Sequence, residues 1–149
     1  MPDLSDVRTF LADEHGLAVV STVQTGERVL SSVVNCGVHP HPVHGEPCVA
    51  FVSRGSAARL RHIRAGSEVT VVARRGWRWV GVTGPAVIVG PDDAMVDAAV
   101  DGESLRVLLR TVFQAAGGQH DDYDEYDRVM AQDRRAAVFI MTGRIVGNA

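Results

Sequence analysis

Apolar residues recur along this chain in two rhythms, and each change of rhythm marks an element. Val7, Phe10 and Leu11 fall at i, i+3 and i+4. That spacing predicts a short helix over 3–14, with Asp3 or Ser5 capping its first turn and Gly16 ending it. Residues 17–24 are rich in β-branched side chains and stop at Thr25-Gly26-Glu27, a turn signal. A second strand follows over 28–35, so the two form a hairpin. The segment Gly37–Pro47, with three prolines and three histidines, reads as a loop at a hairpin tip. Residues 48–53, Cys-Val-Ala-Phe-Val-Ser, are apolar almost throughout, which predicts a strand buried on both faces.

After the polar turn Arg54-Gly55-Ser56, a short helix is predicted over 57–65, with Ser56 as its N-cap and Gly66 as its stop. A fourth strand covers 68–75, and Arg75-Gly76 makes a tight turn. A long fifth strand covers 77–89, with Gly81 and Gly84 marking a bulge or bend that curls the sheet. Pro91-Asp92-Asp93 opens a helical region that breaks near Gly102 and ends at Gly117-Gly118. Residues 121–134 form another helix, with Tyr123, Tyr126 and Met130 on one side, and 136–146 form the last strand. The expected fold is α+β: a six-stranded antiparallel curved barrel with peripheral helices, one domain over 1–149.

Composition narrows the function. The chain has 149 residues, 46% of them hydrophobic, and a formal net charge of −3. That is enough apolar material for a core, and the wrong sign for non-specific nucleic-acid binding. No apolar stretch approaches the roughly 18 residues that span a bilayer. The first residues, Met1-Pro2-Asp3-Leu4-Ser5-Asp6, are acidic where a secretory signal is basic, and two cysteines are too few for a disulfide scaffold. The expectation is a cytoplasmic protein with no nucleic-acid or membrane partner. All 15 basic residues are arginine, so any bound anion meets planar guanidinium forks.

The most informative stretch is Val52-Ser53-Arg54-Gly55-Ser56-Ala57-Ala58-Arg59-Leu60-Arg61-His62-Ile63. A buried strand ending in a polar turn and opening a helix leaves backbone N–H groups unpaired, which attracts an anion. Ser53 and Ser56 add hydroxyl donors, and Arg59 and Arg61, on either side of the Leu60/Ile63 stripe, can fork a phosphate. Trp77-Arg78-Trp79 puts two indoles on one strand face, either as core cover or as a wall for a ring-plus-phosphate ligand. His39, His41 and His44 lack acidic or cysteine ligands at tight spacing, so no metal site is expected. Cys36 and Cys48 flank that loop and are placed to face each other across two strands, with no redox role expected. The acidic run 121–127 reads as a helix N-terminus. Arg134 and Arg135 are either surface charge or a contact to a neighbouring subunit's ligand. No nucleophile elbow, P-loop, paired-carboxylate or dinucleotide fingerprint occurs, and no catalytic residue is assigned.

In this order of elements, with Val52-Ser53, Arg59-Leu60-Arg61-His62-Ile63, Gly76-Trp77 and Gly84, the chain resembles the pyridoxamine 5′-phosphate oxidase-like split β-barrel superfamily. Within it, the match is to the flavin/deazaflavin oxidoreductases of actinobacteria, especially the branch using coenzyme F-420. Asp122-Tyr123-Asp124-Glu125-Tyr126, Met130 to Arg135 and the closing Val146-Gly147 extend the resemblance over nearly the whole chain. It implies a homodimer with cofactor sites at the interface and a cofactor phosphate on Arg59 and Arg61 near Ser53. It also implies a ring system along Ser31, Ser32 and Val33, with Trp77 close by. The turn 54–58 departs from the family pattern, and the chain lacks the substrate-binding C-terminal segment of true pyridoxine-phosphate oxidases. The implied activity is hydride transfer between F-420 and an unsaturated small molecule. The alternatives are an FMN-dependent oxidoreductase on the same fold, or a non-catalytic binding protein for a flavin, deazaflavin or haem.

Overall fold

The protein is described here by a computed structural model covering residues 1–93 and 102–149. Helix α1 (Leu4–Asp13) forms where its spacing predicts, and Asp3 is its cap: the Asp3 carboxylate accepts from the Ser5 and Asp6 N–H groups, and Asp6 returns the bond. Strand β1 (Leu17–Gln24) pairs antiparallel with β2 (Arg28–Pro40), from Leu17 opposite Asn35 to Gln24 opposite Arg28.

β2 corrects the first expectation. It runs on through the first four residues of the segment read as a loop, and its last residues, Cys36–Pro40, pair with β3 (Pro47–Ser53). Pro40 and Pro47 oppose each other at the end of this ladder, where a missing N–H costs nothing. β2 is thus shared by two half-sheets. The first half holds its N-terminal part with β1, β4 (Val69–Arg75), β5 (Arg78–Gly84) and β8 (Arg144–Gly147). The second holds its C-terminal part with β3, β7 (Ala136–Ile140) and β6 (Ala86–Val89). The full order is β6-β7-β3-β2-β1-β4-β5-β8, antiparallel throughout.

The curled sheet has eight strands rather than six, because two expected strands are each cut at a corner. Gly84-Pro85 divides 77–89, and Met141–Gly143 divides 136–146. The corners lie against each other. The Met141 N–H donates to the Pro85 carbonyl at 2.9 Å, and a Cβ on Gly84 would stand 1.8 Å from the Met141 oxygen. Only glycine permits that approach, which a sequence pattern shows merely as a bend.

β3 and β7 are buried on both faces, as expected for 48–53. Val49, Phe51, Val138 and Ile140 join the main core with Val20, Val71, Val82 and the apolar face of α1. Cys48, Ala50, Ala137 and Phe139 pack outward against α3 (Gly102–Ala115), which presents Leu105, Leu109 and Val112 at helical spacing. Cys36 and Cys48 therefore belong to different cores and do not face each other. The part of the helical reading over 94–101 lies outside the described residues.

Helix α2 (Ala58–Arg64) lacks the expected Ser56 cap. Ala57 holds the N-cap position without a side-chain bond, and Ser56 is exposed. α2 is held instead by Leu60 and Ile63 in the core and by the buried His62, whose Nδ1 lies 2.8 Å from Thr22 Oγ1 on β1. α4 (Tyr123–Gln132) is capped by Asp122. Among the described residues no helix is long and apolar enough to cross a membrane.

Candidate functional site

Where β3 ends and α2 begins, Arg59 turns back toward the sheet. Its Nη1 donates to Ser53 Oγ at 3.1 Å and its Nη2 to Ser32 Oγ at 2.9 Å. Its Nε is buried with no partner among the described residues. The guanidinium carbon lies 6.0 Å from the centroid of the Phe51 ring. Burial pulls Arg59 below the ordinary arginine value, Cys36 opposes this, and the positive charge of Arg135 adds to it. Arginine stays charged at any relevant pH. Cys36 does not supply the missing negative charge, because burial pushes its thiol up to about 12. The result is a partly desolvated cation held by neutral hydroxyls, an arrangement that favours an anion.

Arg59 stands in the wall of a cavity of about 610 Å³, within the size range of small-molecule sites. Val33, Val52, Phe113, Tyr126 and Met130 give it apolar surface, and Arg54 and Arg135 add positive charge. No carboxylate lines it among the described residues. Tyr126 contributes ring surface and no labile proton: its hydroxyl donates to the Leu109 carbonyl at 3.1 Å, and burial pushes it up to about 12. α3 and α4 are clasped beside the cavity by Arg110, whose Nε lies 2.9 Å from Asp127, and by the Phe113 and Tyr126 rings at 4.8 Å. The bond from Arg110 holds the Asp127 carboxyl below the usual range.

One chain brings four of the eight predicted site residues together: Ser32, Val33, Ser53 and Arg59. The neighbouring Ser31 instead meets Ser21, oxygen to oxygen at 2.8 Å. Ser56 offers its carbonyl to Arg61 at 3.5 Å, and Arg61 lines a separate cleft with Gln24 and Arg28. Trp77 lies in the turn before β5, 93% exposed, lining a third cleft with Trp79 and Arg74. The sequence left Arg54 outside the site residues and assigned Arg135 no place in this chain's cavity. Both reach the cavity from turns joined at Gly55, whose N–H donates to the Asp133 carbonyl at 3.2 Å, a contact between turns about 80 residues apart that local pattern does not encode.

Two of the three histidines of the hairpin tip are packed, while His44 is exposed. His41 is only 3% exposed, its Nδ1 accepting from the Val43 and His44 N–H groups at 3.1 Å each, and His39 Nε2 lies 2.9 Å from Thr111 Oγ1 on α3. These are structural contacts of a tucked-in tip.

No protein-family model matches the chain. Solved structures of the same fold do. Conserved hypothetical protein Rv2991 from Mycobacterium tuberculosis is 15% identical with a TM-score of 0.68, the alignment covering 99% of this chain and 84% of that one. An F420 reductase is 11% identical with a TM-score of 0.57, covering 87% and 88%. A candidate pyridoxamine 5′-phosphate oxidase from Listeria innocua is 13% identical with a TM-score of 0.56, covering 97% and 98%. At these identities the likeness is one of fold alone: a curled antiparallel sheet with peripheral helices, shared with structures named as an oxidase and as a reductase.

Proposed function

We propose that this chain is a coenzyme F-420-dependent oxidoreductase that moves a hydride between the deazaflavin and an unsaturated small molecule. The observation that carries the reading is Arg59: a half-buried guanidinium with an unpartnered Nε, held by Ser32 and Ser53 hydroxyls beside an apolar cavity. That donor set suits a phosphate, and the flat apolar wall suits a ring. Arg59, Ser32 and Ser53 would hold the phosphate. Arg61, tethered only by the 3.5 Å contact to Ser56, can exchange that weak bond for a phosphate oxygen. The Ser31–Val33 stretch would flank the ring. When bound, a reduced deazaflavin supplies the hydride; the protein's part is to anchor, orient and exclude water.

The functional unit in this reading is a homodimer. The outer face of the first half-sheet is apolar and, among the described residues, uncovered, with Val19, Val33 and Val146 aligned across the strands and Val33 65% exposed. Contiguous apolar patches of that kind are rare on monomers. A second copy seated there also gives Trp77 a ligand to cover that its own chain does not offer.

The test is a fluorescence titration of the purified protein with F-420 and, in parallel, FMN. Tight F-420 binding, weakened about 10–100-fold by Arg59→Ala, is the expected result, because a charge-assisted pair is worth roughly 1.5–3 kcal/mol. Unchanged affinity in Arg59→Ala overturns the site. The same phosphate donors suit FMN, and oxidase-named neighbours favour it as the second reading; preference for FMN in the titration selects it.

A further inference from the structure

A phosphate on Arg59 leaves two arginines of the same cavity unused. Arg54 is exposed, and its guanidinium has no hydrogen-bond or ion-pair partner among the described residues. Arg135 is half-buried, and among the described residues its guanidinium bonds only Asp133, two residues back, at 3.2 and 3.3 Å through Nη2 and Nε. Its neighbour Arg134 is pinned away by Asp92, so the tandem pair is divided: one side chain to the surface, one to the cavity. The two turns that carry Arg54 and Arg135 are locked together. The Gly55 N–H bonds the Asp133 carbonyl, a Cβ at Gly55 would stand 2.5 Å from the Arg134 oxygen, and Arg134 itself takes a left-handed φ of 50°. Non-glycine residues hold that conformation only where the surroundings impose it.

We infer that Arg54 and Arg135 form a second anion subsite, which reads the carboxylate of a substrate whose apolar body lies against Phe113, Tyr126 and Met130. Like charges in the wall of one cavity disfavour each other unless an anion joins them. With Asp133 offsetting one of the two, the subsite carries a single net positive charge, which matches a monoanionic carboxylate better than a phosphate dianion. Guanidinium forks bind such a planar group bidentately. The subsite stands on this geometry; only its assignment to substrate rather than cofactor rests on the reading that Arg59 holds the cofactor phosphate.

The test is calorimetric titration of the purified protein with 2-naphthoate and with its neutral isostere 2-naphthamide, alone and with FMN present. Naphthoate is expected to bind at least about tenfold more tightly than the amide. Arg54→Gln/Arg135→Gln is expected to abolish the preference and to weaken naphthoate by a larger factor than FMN, while Arg135→Lys keeps part of the preference. Should the double variant not fold, as judged by its melting curve, Arg54→Gln alone, at an exposed turn, reports the same loss in smaller degree. Equal affinities for acid and amide in the native protein, or a preference that survives the variants, overturn the subsite. Loss of FMN together with naphthoate assigns the two arginines to the cofactor and overturns the substrate claim. A charge preference that disappears in the variants, in a protein that binds neither FMN nor F-420, upholds the subsite while the cofactor reading falls.

Discussion

The two half-sheets have similar inner faces and different outer ones. In the second half, α3 lies across β3 and β7, and the outward residues Cys48, Ala50, Ala137 and Phe139 are buried with Leu105, Leu109 and Val112. In the first half, Leu17, Val19, Val29 and Val33 point outward, between 42% and 67% exposed, with no element over them among the described residues. One half has completed its layer from its own chain. The other presents the same kind of surface and waits for a layer. Arg59 and its cavity sit where the halves meet, at the bend of β2, so that a ligand there would touch the finished half and the open one together.

Two glycines put the comparison to its hardest test. Gly37, in β2 under the end of α3, would place a Cβ 2.2 Å from the Ala115 oxygen. Gly81, in β5 on the open face, would meet nothing closer than 3.4 Å, a flexible Trp79 ring atom. Gly37→Ala should therefore lift α3 and cost about 3 kcal/mol or more, and Gly81→Ala under about 1 kcal/mol, in denaturant unfolding. Equal losses would mean that α3 does not press on its half-sheet as described.

That asymmetry explains what sequence could and could not reveal. The bounds of β1 matched the pattern because a β-branched run lies between two turns, and the continuous apolar run 48–53 correctly read as doubly buried. β2 was cut short because prolines and histidines mimic a loop, although Pro40 and Pro47 merely close the ladder. The corner at Gly84 was read only as a bend within one strand and the one at Met141–Gly143 was missed, because Gly84 and Gly143 are needed by contacts with each other's segment, more than 50 residues away. In the site, Ser53 and Arg59 were legible as a strand end and a helix start six residues apart. Arg135 was not, because its place in the cavity wall depends on a tertiary contact between two turns.

At the meeting of the halves, Arg59 and Arg61 should differ. Arg59 is half-buried with two hydroxyl partners, and Arg61 is exposed with one weak bond. Removing Arg59 should weaken a phosphorylated cofactor about 10–100-fold, and removing Arg61 only a fewfold, about a surface-pair effect. Riboflavin, which lacks the phosphate, should bind both variants and the native protein alike. A larger effect from Arg61 would move the phosphate to the adjoining cleft.

The smallest effect belongs to the tip of the closed half. Burial, aided by His44 and opposed by Glu46, holds His41 below its ordinary 6.5. Above that pH both folded and unfolded chains keep it neutral. As pH falls below 6.5 the unfolded chain takes the proton first, so stability declines. Urea midpoints from pH 7.5 to 5 should fall, and fall less in His41→Gln; an identical slope in the variant would remove His41 from that dependence.

The open face is tested most directly by one substitution at its centre. Val19 lies between Val33 and Val72 on adjoining strands. Sedimentation velocity of the native protein and Val19→Arg, each titrated with F-420, reads assembly and cofactor site together. The account predicts a native dimer that binds F-420, and a folded Val19→Arg monomer whose affinity drops at least about tenfold. A native protein that binds F-420 as a monomer, or a monomeric variant that binds it undiminished, would contradict it.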